Sequence, residues 1–193
     1  MFKKSFLTLV VMLVGLLAIG QSKKVQQFTV SKVLNIPADQ VWAVVGEDYG
    51  AIAYSHPKIV SSAYIGGTLQ AGEGAQRVCH FNDKGTRFLK EKMLNYNPGE
   101  MTFTNQVFQA GKFPVDPDLT RAVYKVKAID ATTSEISFDM QYRTKPGFMG
   151  GIMKGSFKKL INDYFIAIEH HVKTGEKVTK DNFKDIRKLY AAR

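Results

Sequence analysis

The stretch ISFDMQYRTKPGFMGGIMKGSFKKLINDYFIAIEHHVK, Ile136 to Lys173, decides the fold. Ile136 to Tyr142 alternates apolar and polar residues as a strand does, and the chain then breaks at Pro146-Gly147. Beyond a glycine-rich turn, Ile152, Met153, Phe157, Leu160, Ile161, Tyr164, Phe165 and Ile168 recur at three- and four-residue spacing. That spacing puts them on one continuous face of a long helix, and the face must be buried. A long helix preceded by many strands predicts an α+β fold in which a curved antiparallel sheet grips the helix.

Upstream the chain reads as strand after strand. Gln27 to Ile36 alternates, Pro37 opens a short helix from Ala38 to Val45, and Gly46 to Pro57 is a loop or second short helix. Strands follow over 59–65, 74–81, 86–95, 101–108, 119–129 and 135–143, with turns at Gly66-Gly67, Asn82 to Gly85 and Asn97-Pro98-Gly99. Hairpin spacing of this kind predicts antiparallel pairing. The long helix should run from about Gly150 to Lys173 and end at Gly175, a good left-handed cap. Past it, Thr179 can cap a short basic helix whose narrow stripe is Phe183, Ile186, Leu189 and Tyr190.

The N-terminus has its own logic. Lys3-Lys4, an uncharged apolar run from Ser5 to Gly20 and the small-residue site Ala18-Ile19-Gly20 together read as a secretory signal peptide over residues 1–20. The alternative is a retained anchor helix, since the run is near the short end of what spans a bilayer. No Cys follows the run, which argues against a lipid-anchored lipoprotein. Cleavage would leave a domain over 21–175 and a basic helical tail over 176–193, in a periplasmic or secreted protein. It would remove only Lys3 and Lys4 from a formal charge of +10. The basic balance suits peripheral contact with an anionic membrane surface or an acidic partner, the simpler reading being a soluble basic surface, and the most basic piece is the tail from Lys173. No nucleic acid partner is expected, because no aromatic-basic interleaving marks such a face. The domain should be monomeric.

Cys79 is the single cysteine, so no intramolecular disulfide or multi-cysteine metal site can form. His170-His171 lacks an i+4 partner of the kind metals need, and adjacent helical residues diverge by about 100°. Gly150 to Ser156 has no lysine between Gly155 and Ser156, where a phosphate-binding loop needs one, and no dinucleotide fingerprint appears. No metal and no cofactor is therefore expected.

Strand parity locates a candidate pocket. If Leu89 and Met93 face inward, so does Glu91; Arg77 shares a face with Cys79 and Phe81, and Phe138, Met140 and Tyr142 share another. Arg77 and Glu91 then form a polar pair on neighbouring strands, able to orient a ligand, move a proton, or simply satisfy two buried charges. His80, of opposite parity to Arg77, should face outward. Tyr54 and His56 precede the second strand and could close over a ligand. From the helix, Phe157, Ile161 and Tyr164 complete the candidate ligand-binding set; no residue is assigned as catalytic.

The order of elements resembles the helix-grip fold of the START domains, the birch-pollen-allergen proteins, the plant abscisic-acid receptors and the bacterial polyketide cyclase/dehydrase family (the SRPBCC superfamily). Ile36 to Trp42 (IPADQVW) looks like that family's strand-to-helix junction, Gly72 to Arg77 (GEGAQR) resembles the start of its third strand, and Leu89 to Leu94 (LKEKML) resembles the next strand with its Glu. The resemblance covers roughly residues 25 to 172 and implies an apolar pocket, closed by mobile loops, for lipids, hormones or polyketides. A fold of this kind is a container, so it does not decide function. The first expectation is an exported binding protein for a small hydrophobic or amphipathic molecule. The second is a cofactor-free cyclase/dehydrase-like enzyme with Glu91 or His56 as proton shuttle and Arg77 steadying an enolate oxygen. A third is an envelope-surface protein whose basic tail is the active part.

Overall fold

A computed structural model describes residues 25–191; the expected signal peptide lies outside the described residues. Seven strands form one sheet: β1 (Gln26–Leu34), β2 (Ser61–Ile65), β3 (Gln76–His80), β4 (Phe88–Asn97), β5 (Thr102–Ala110), β6 (Arg121–Ala128) and β7 (Ser134–Tyr142). Their order is β1-β7-β6-β5-β4-β3-β2, and every neighbouring pair is antiparallel. The crossing that brings β1 beside β7 leaves the β1–β2 connection to span the sheet. That connection carries helix α1 (Ala38–Trp42), a π turn (Ala43–Glu47) and a 3₁₀ turn (Tyr49–Tyr54).

Helix α2 (Met149–Thr174) lies in the concave face, as its stripe requires: Phe157, Ile161, Tyr164, Phe165 and Ile168 are buried against the inward residues of the strands. Ile152 is the exception to that stripe, being exposed near the helix start. Strand alternation holds across the sheet. In β4, Leu89, Glu91 and Met93 are buried while Lys90 and Lys92 are not. The Lys90–Gln109 pair is followed by Glu91–Val107, so Phe108 bulges out of the β5 ladder beside Glu91. A bulge adds local twist, and here it bends the sheet where the polar pair sits.

Helix α2 ends at Gly175, whose φ of 70° and N–H to His171 O make the expected left-handed cap. The tail turns back as helix α3 (Phe183–Ala191) and forms a small second core, in which Val178, Phe183 and Ile186 pack on Ala167. Polar contacts fasten it: His170 Nε2 lies 2.9 Å from Glu176 Oε2, and the Val178 N–H donates to Tyr54 O at 2.8 Å. The helical pair of histidines thus serves tail docking, and Thr179 and Asn182 exchange hydrogen bonds ahead of α3.

Candidate functional site

Between sheet and helix lies a cavity of about 110 Å³. Its floor comes from β3 to β7, through Arg77, Leu89, Glu91, Val107, Tyr124 and Phe138; its roof is Phe157, Leu160, Ile161 and Tyr164 of α2. Ile52, His56 and Ile59 of the β1–β2 connection close one side.

A cluster of polar groups surrounds Arg77. Arg77 and Glu91 face each other directly in the β3–β4 ladder, with Nε to Oε2 at 2.7 Å; both residues are buried, at 2% and 8% exposure. Arg77 Nη1 donates to Tyr49 O at 2.8 Å, and the guanidinium lies 3.9 Å from the centre of the Tyr49 ring. Tyr49 in turn donates to Asn105 Oδ1 at 2.6 Å, and Cys79 Sγ lies 3.5 Å from Glu91 Oε2. Burial, the largest single effect, lowers the basicity of Arg77, but the Glu91 carboxylate together with smaller contributions from Tyr49, Cys79 and Tyr124 outweighs it, so the guanidinium is raised well above its usual range and stays charged. The site therefore contains a closed charge pair with no net charge.

Burial sets the other groups. It pushes the phenols of Tyr49, Tyr124 and Tyr164 and the Cys79 thiol upward, Arg77 opposing it in each case, so all stay protonated near neutrality. Burial, with help from Arg77, lowers His56 from 6.5 to about 3. His56 Nδ1 accepts the Lys58 N–H at 3.0 Å and the ring packs 4.7 Å from that of Tyr164. It is a neutral imidazole, far too weak a base near pH 7 to match the optimum for proton transfer. The expectation that His56 could shuttle a proton is corrected on that ground.

Of the residues expected at the site, the cavity brings together His56, Arg77, Glu91, Phe138, Met140, Phe157, Ile161 and Tyr164. Three stand elsewhere. Tyr54 ends the 3₁₀ turn, is 53% exposed, and turns its ring to the tail, with Lys177 Nζ 4.9 Å above it. Met93 faces inward as parity requires, but it lies one full pleat beyond Glu91, where the core is filled. Tyr142 also faces inward, yet it holds the start of α2: its hydroxyl donates to Gly150 O at 2.6 Å and its ring meets Phe157 edge-on. His80 is on the outer side of its strand, half-buried beside Phe88.

Tyr49, Asn105 and Tyr124 were not anticipated. The same alternation that located Phe138 would have found Tyr124, which pairs with it across β6–β7 and stacks on Phe103. Nothing periodic marks Tyr49. Its position depends on Gly50, where a Cβ would come within 2.5 Å of the Tyr64 ring, so only glycine lets this turn lie against β2.

A curved antiparallel sheet closed by a long helix, with a cavity between them, defines a helix-grip protein of the SRPBCC type. The chain belongs to the family described as polyketide cyclase/dehydrase and lipid transport, whose profile matches residues 25–165. No curated protein matches it in sequence. Solved structures share the fold at low identity. A Thermobifida fusca protein is 20% identical with a TM-score of 0.63, over 79% of this chain and 96% of that one. The protein Ara h 8.0201 is 18% identical with a TM-score of 0.60, over 78% and 99%. Norcoclaurine synthase from Thalictrum flavum, solved with dopamine and hydroxybenzaldehyde, is 17% identical with a TM-score of 0.54, over 77% and 87%.

Proposed function

We propose that this chain is an exported binding protein that holds one small hydrophobic or amphipathic molecule in its internal cavity. The observation that carries this reading is the cavity of about 110 Å³, apolar over most of its wall and with the Arg77–Glu91 pair set into it. Apolar cavities of about 150 Å³ admit a benzene-sized guest, so the size favours a single ring over an extended acyl chain. The Arg77–Glu91 pair is closed on itself, which favours a neutral ligand with one hydroxyl or carbonyl group over a carboxylate. The same fold holds two single-ring compounds in the norcoclaurine synthase structure. Export rests on the n-region, apolar run and small-residue site at the N-terminus.

Displacement of a polarity-sensitive dye by neutral phenols and cyclic ketones tests the binding reading. The expected Kd is about 10⁻⁴ to 10⁻⁶ M, which is reasonable for eight or so non-hydrogen atoms. Ala122, a cavity-lining residue of β6, gives the control: Ala122→Phe should fill the space and abolish displacement in a folded protein. Equal displacement from that variant, or tighter binding of long-chain fatty acids than of any ring compound, would overturn the reading.

A second reading has one observation in its favour: the Glu91 carboxylate lines the cavity alongside Tyr124 and Tyr164. In a cyclase/dehydrase-like enzyme, Glu91 would remove a proton beside a carbonyl whose oxygen is held by Arg77 and a tyrosine hydroxyl. Glu91→Gln would then abolish turnover while ligand affinity stays nearly intact.

A further inference from the structure

One face of α2 is used differently along its length. Phe148, Ile152, Ser156, Lys159, Asp163, Ile166 and His170 follow at steps of four, four, three, four, three and four, so they lie in one row about 33 Å long. At the C-terminal end, Ile166 and His170 receive the tail helix α3, His170 meeting the Tyr190 ring edge-on at 6.1 Å. At the N-terminal end, none of the described residues covers the row: Phe148 is 77% exposed and Ile152 75%.

Between these ends are two openings. A depression bounded by Phe81, Phe113, Phe157 and Leu160 shares those four residues with the cavity wall, which makes it the candidate mouth. A groove between α2 and α3 is walled by Lys58, Lys159, Lys180, Lys184, Arg187 and Lys188, against a single carboxylate, Asp163. Lys58 and Lys159 border both openings. Lys159 and Arg187 neutralise Asp163, at 2.7 Å and 3.6 Å, and Lys188 meets Asp185 on the solvent side. Among the described residues, no ion pair takes up Lys58, Lys180 or Lys184. The apolar side of α3 is already spent on α2, so the helix presents cations outward, together with the exposed Leu189.

Cations alone would suit any polyanion. Two large apolar side chains standing free beside the mouth, in line with the cations, would not help a protein grip phosphates in water, but they fit a surface whose phosphates cover hydrocarbon. We propose that this row of α2, with the docked helix α3, is a docking surface for an anionic lipid bilayer. Lys180, Lys184 and their neighbours meet the headgroups, Phe148 and Ile152 enter the acyl boundary, and the cavity mouth is held against the membrane. The surface does not depend on what the cavity holds, so it and the binding reading fail separately.

Co-sedimentation of the protein, as its cells produce it, with vesicles of phosphatidylcholine alone or mixed with phosphatidylglycerol tests the proposal. Residues 1–24 are common to all variants, so their contribution cancels between them. Each cation near an anionic surface contributes about fivefold, so Lys184→Glu with Lys188→Glu should weaken binding to the anionic vesicles at least 20-fold. Phe148→Ser with Ile152→Ser should weaken it comparably, and raised salt should suppress the cationic share. All four positions are on the surface, and unchanged thermal unfolding checks that both variants fold. Equal binding to neutral and anionic vesicles, or wild-type binding by either variant, overturns the proposal. A single-stranded oligonucleotide retained through the six lysine and arginine positions of the groove, with vesicles left free, would assign the groove to nucleic acid instead.

Discussion

Glu91→Gln keeps the shape of the side chain and removes only its charge, so it asks directly what the Arg77–Glu91 pair is for. The pair is buried, and Arg77 Nε meets Oε2 at 2.7 Å. Removing one partner of a buried pair costs about 3 to 5 kcal/mol, because the other charge is left without compensation. Three features moderate the loss. The glutamine carbonyl can still accept from Nε, the Tyr49 carbonyl remains 2.8 Å from Nη1, and the Tyr49 ring remains 3.9 Å from the guanidinium. A neutral hydrogen bond retains about 0.5 to 1.5 kcal/mol, so the expected loss is at the low end, about 3 kcal/mol. For a domain of this size that is a fall in Tm of about 6 to 12 °C. Urea unfolding with a constant m-value measures it. Replacing both residues together, Arg77→Met with Glu91→Leu, leaves no orphaned charge and should be less destabilising than either single change. A Glu91→Gln loss below 1 kcal/mol, or a double variant worse than the sum of the singles, would refute the reasoning: the guanidinium would then be solvated through the cavity and not dependent on its partner.

His56 gives the fold a pH dependence whose sign is determined by its depressed pKa, about 3 in the folded state against 6.5 unfolded. Its contribution is complete above pH 6.5 and is lost as pH falls toward 3, by about 1.4 kcal/mol per unit, so His56→Asn should flatten the stability profile between pH 6.5 and 5; parallel profiles for variant and wild type would rule this out. Export predicts a periplasmic or secreted form with an N-terminus near Gln21, read by fractionation and N-terminal sequencing; a cytoplasmic chain beginning at Met1 would end that proposal.

Much of the site could be read from period-two alternation, because a residue on a half-buried strand has only two places to point. Leu89 and Lys90 therefore assign Glu91 to the interior, and Cys79 and Phe81 assign Arg77 with it. The register that sets the two opposite each other is a separate matter, decided by the β3–β4 turn and its length. Alternation also says how a side chain points but not how far along the strand the cavity extends. Met93 and Tyr142 are inward and still not in the cavity wall, since the distance from Glu91 or Phe138 to the end of the free space is a matter of packing volume. The bulge at Phe108 breaks no sequence pattern strongly enough to be seen, although it shapes the sheet beside Glu91.

The β1–β2 connection shows where local reading has to stop. Tyr49 and His56 belong to the site and Tyr54 does not, yet all three belong to one aromatic-rich run with no repeat. Their directions follow from a π turn, a 3₁₀ turn and a glycine pressed on Tyr64, none of which local propensity selects. These turns are held by long-range partners: Ser62 Oγ donates to Gly50 O at 2.7 Å, Arg77 to Tyr49 O, and the Val178 N–H to Tyr54 O. The last of these comes from the tail, so the segment that closes the cavity is fastened from one side by the polar pair and from the other by the stretch of tail that leads into α3. The cavity wall and the docked tail in this way meet on one stretch of irregular backbone, which has no period to read and takes its partners from sheet and tail alike.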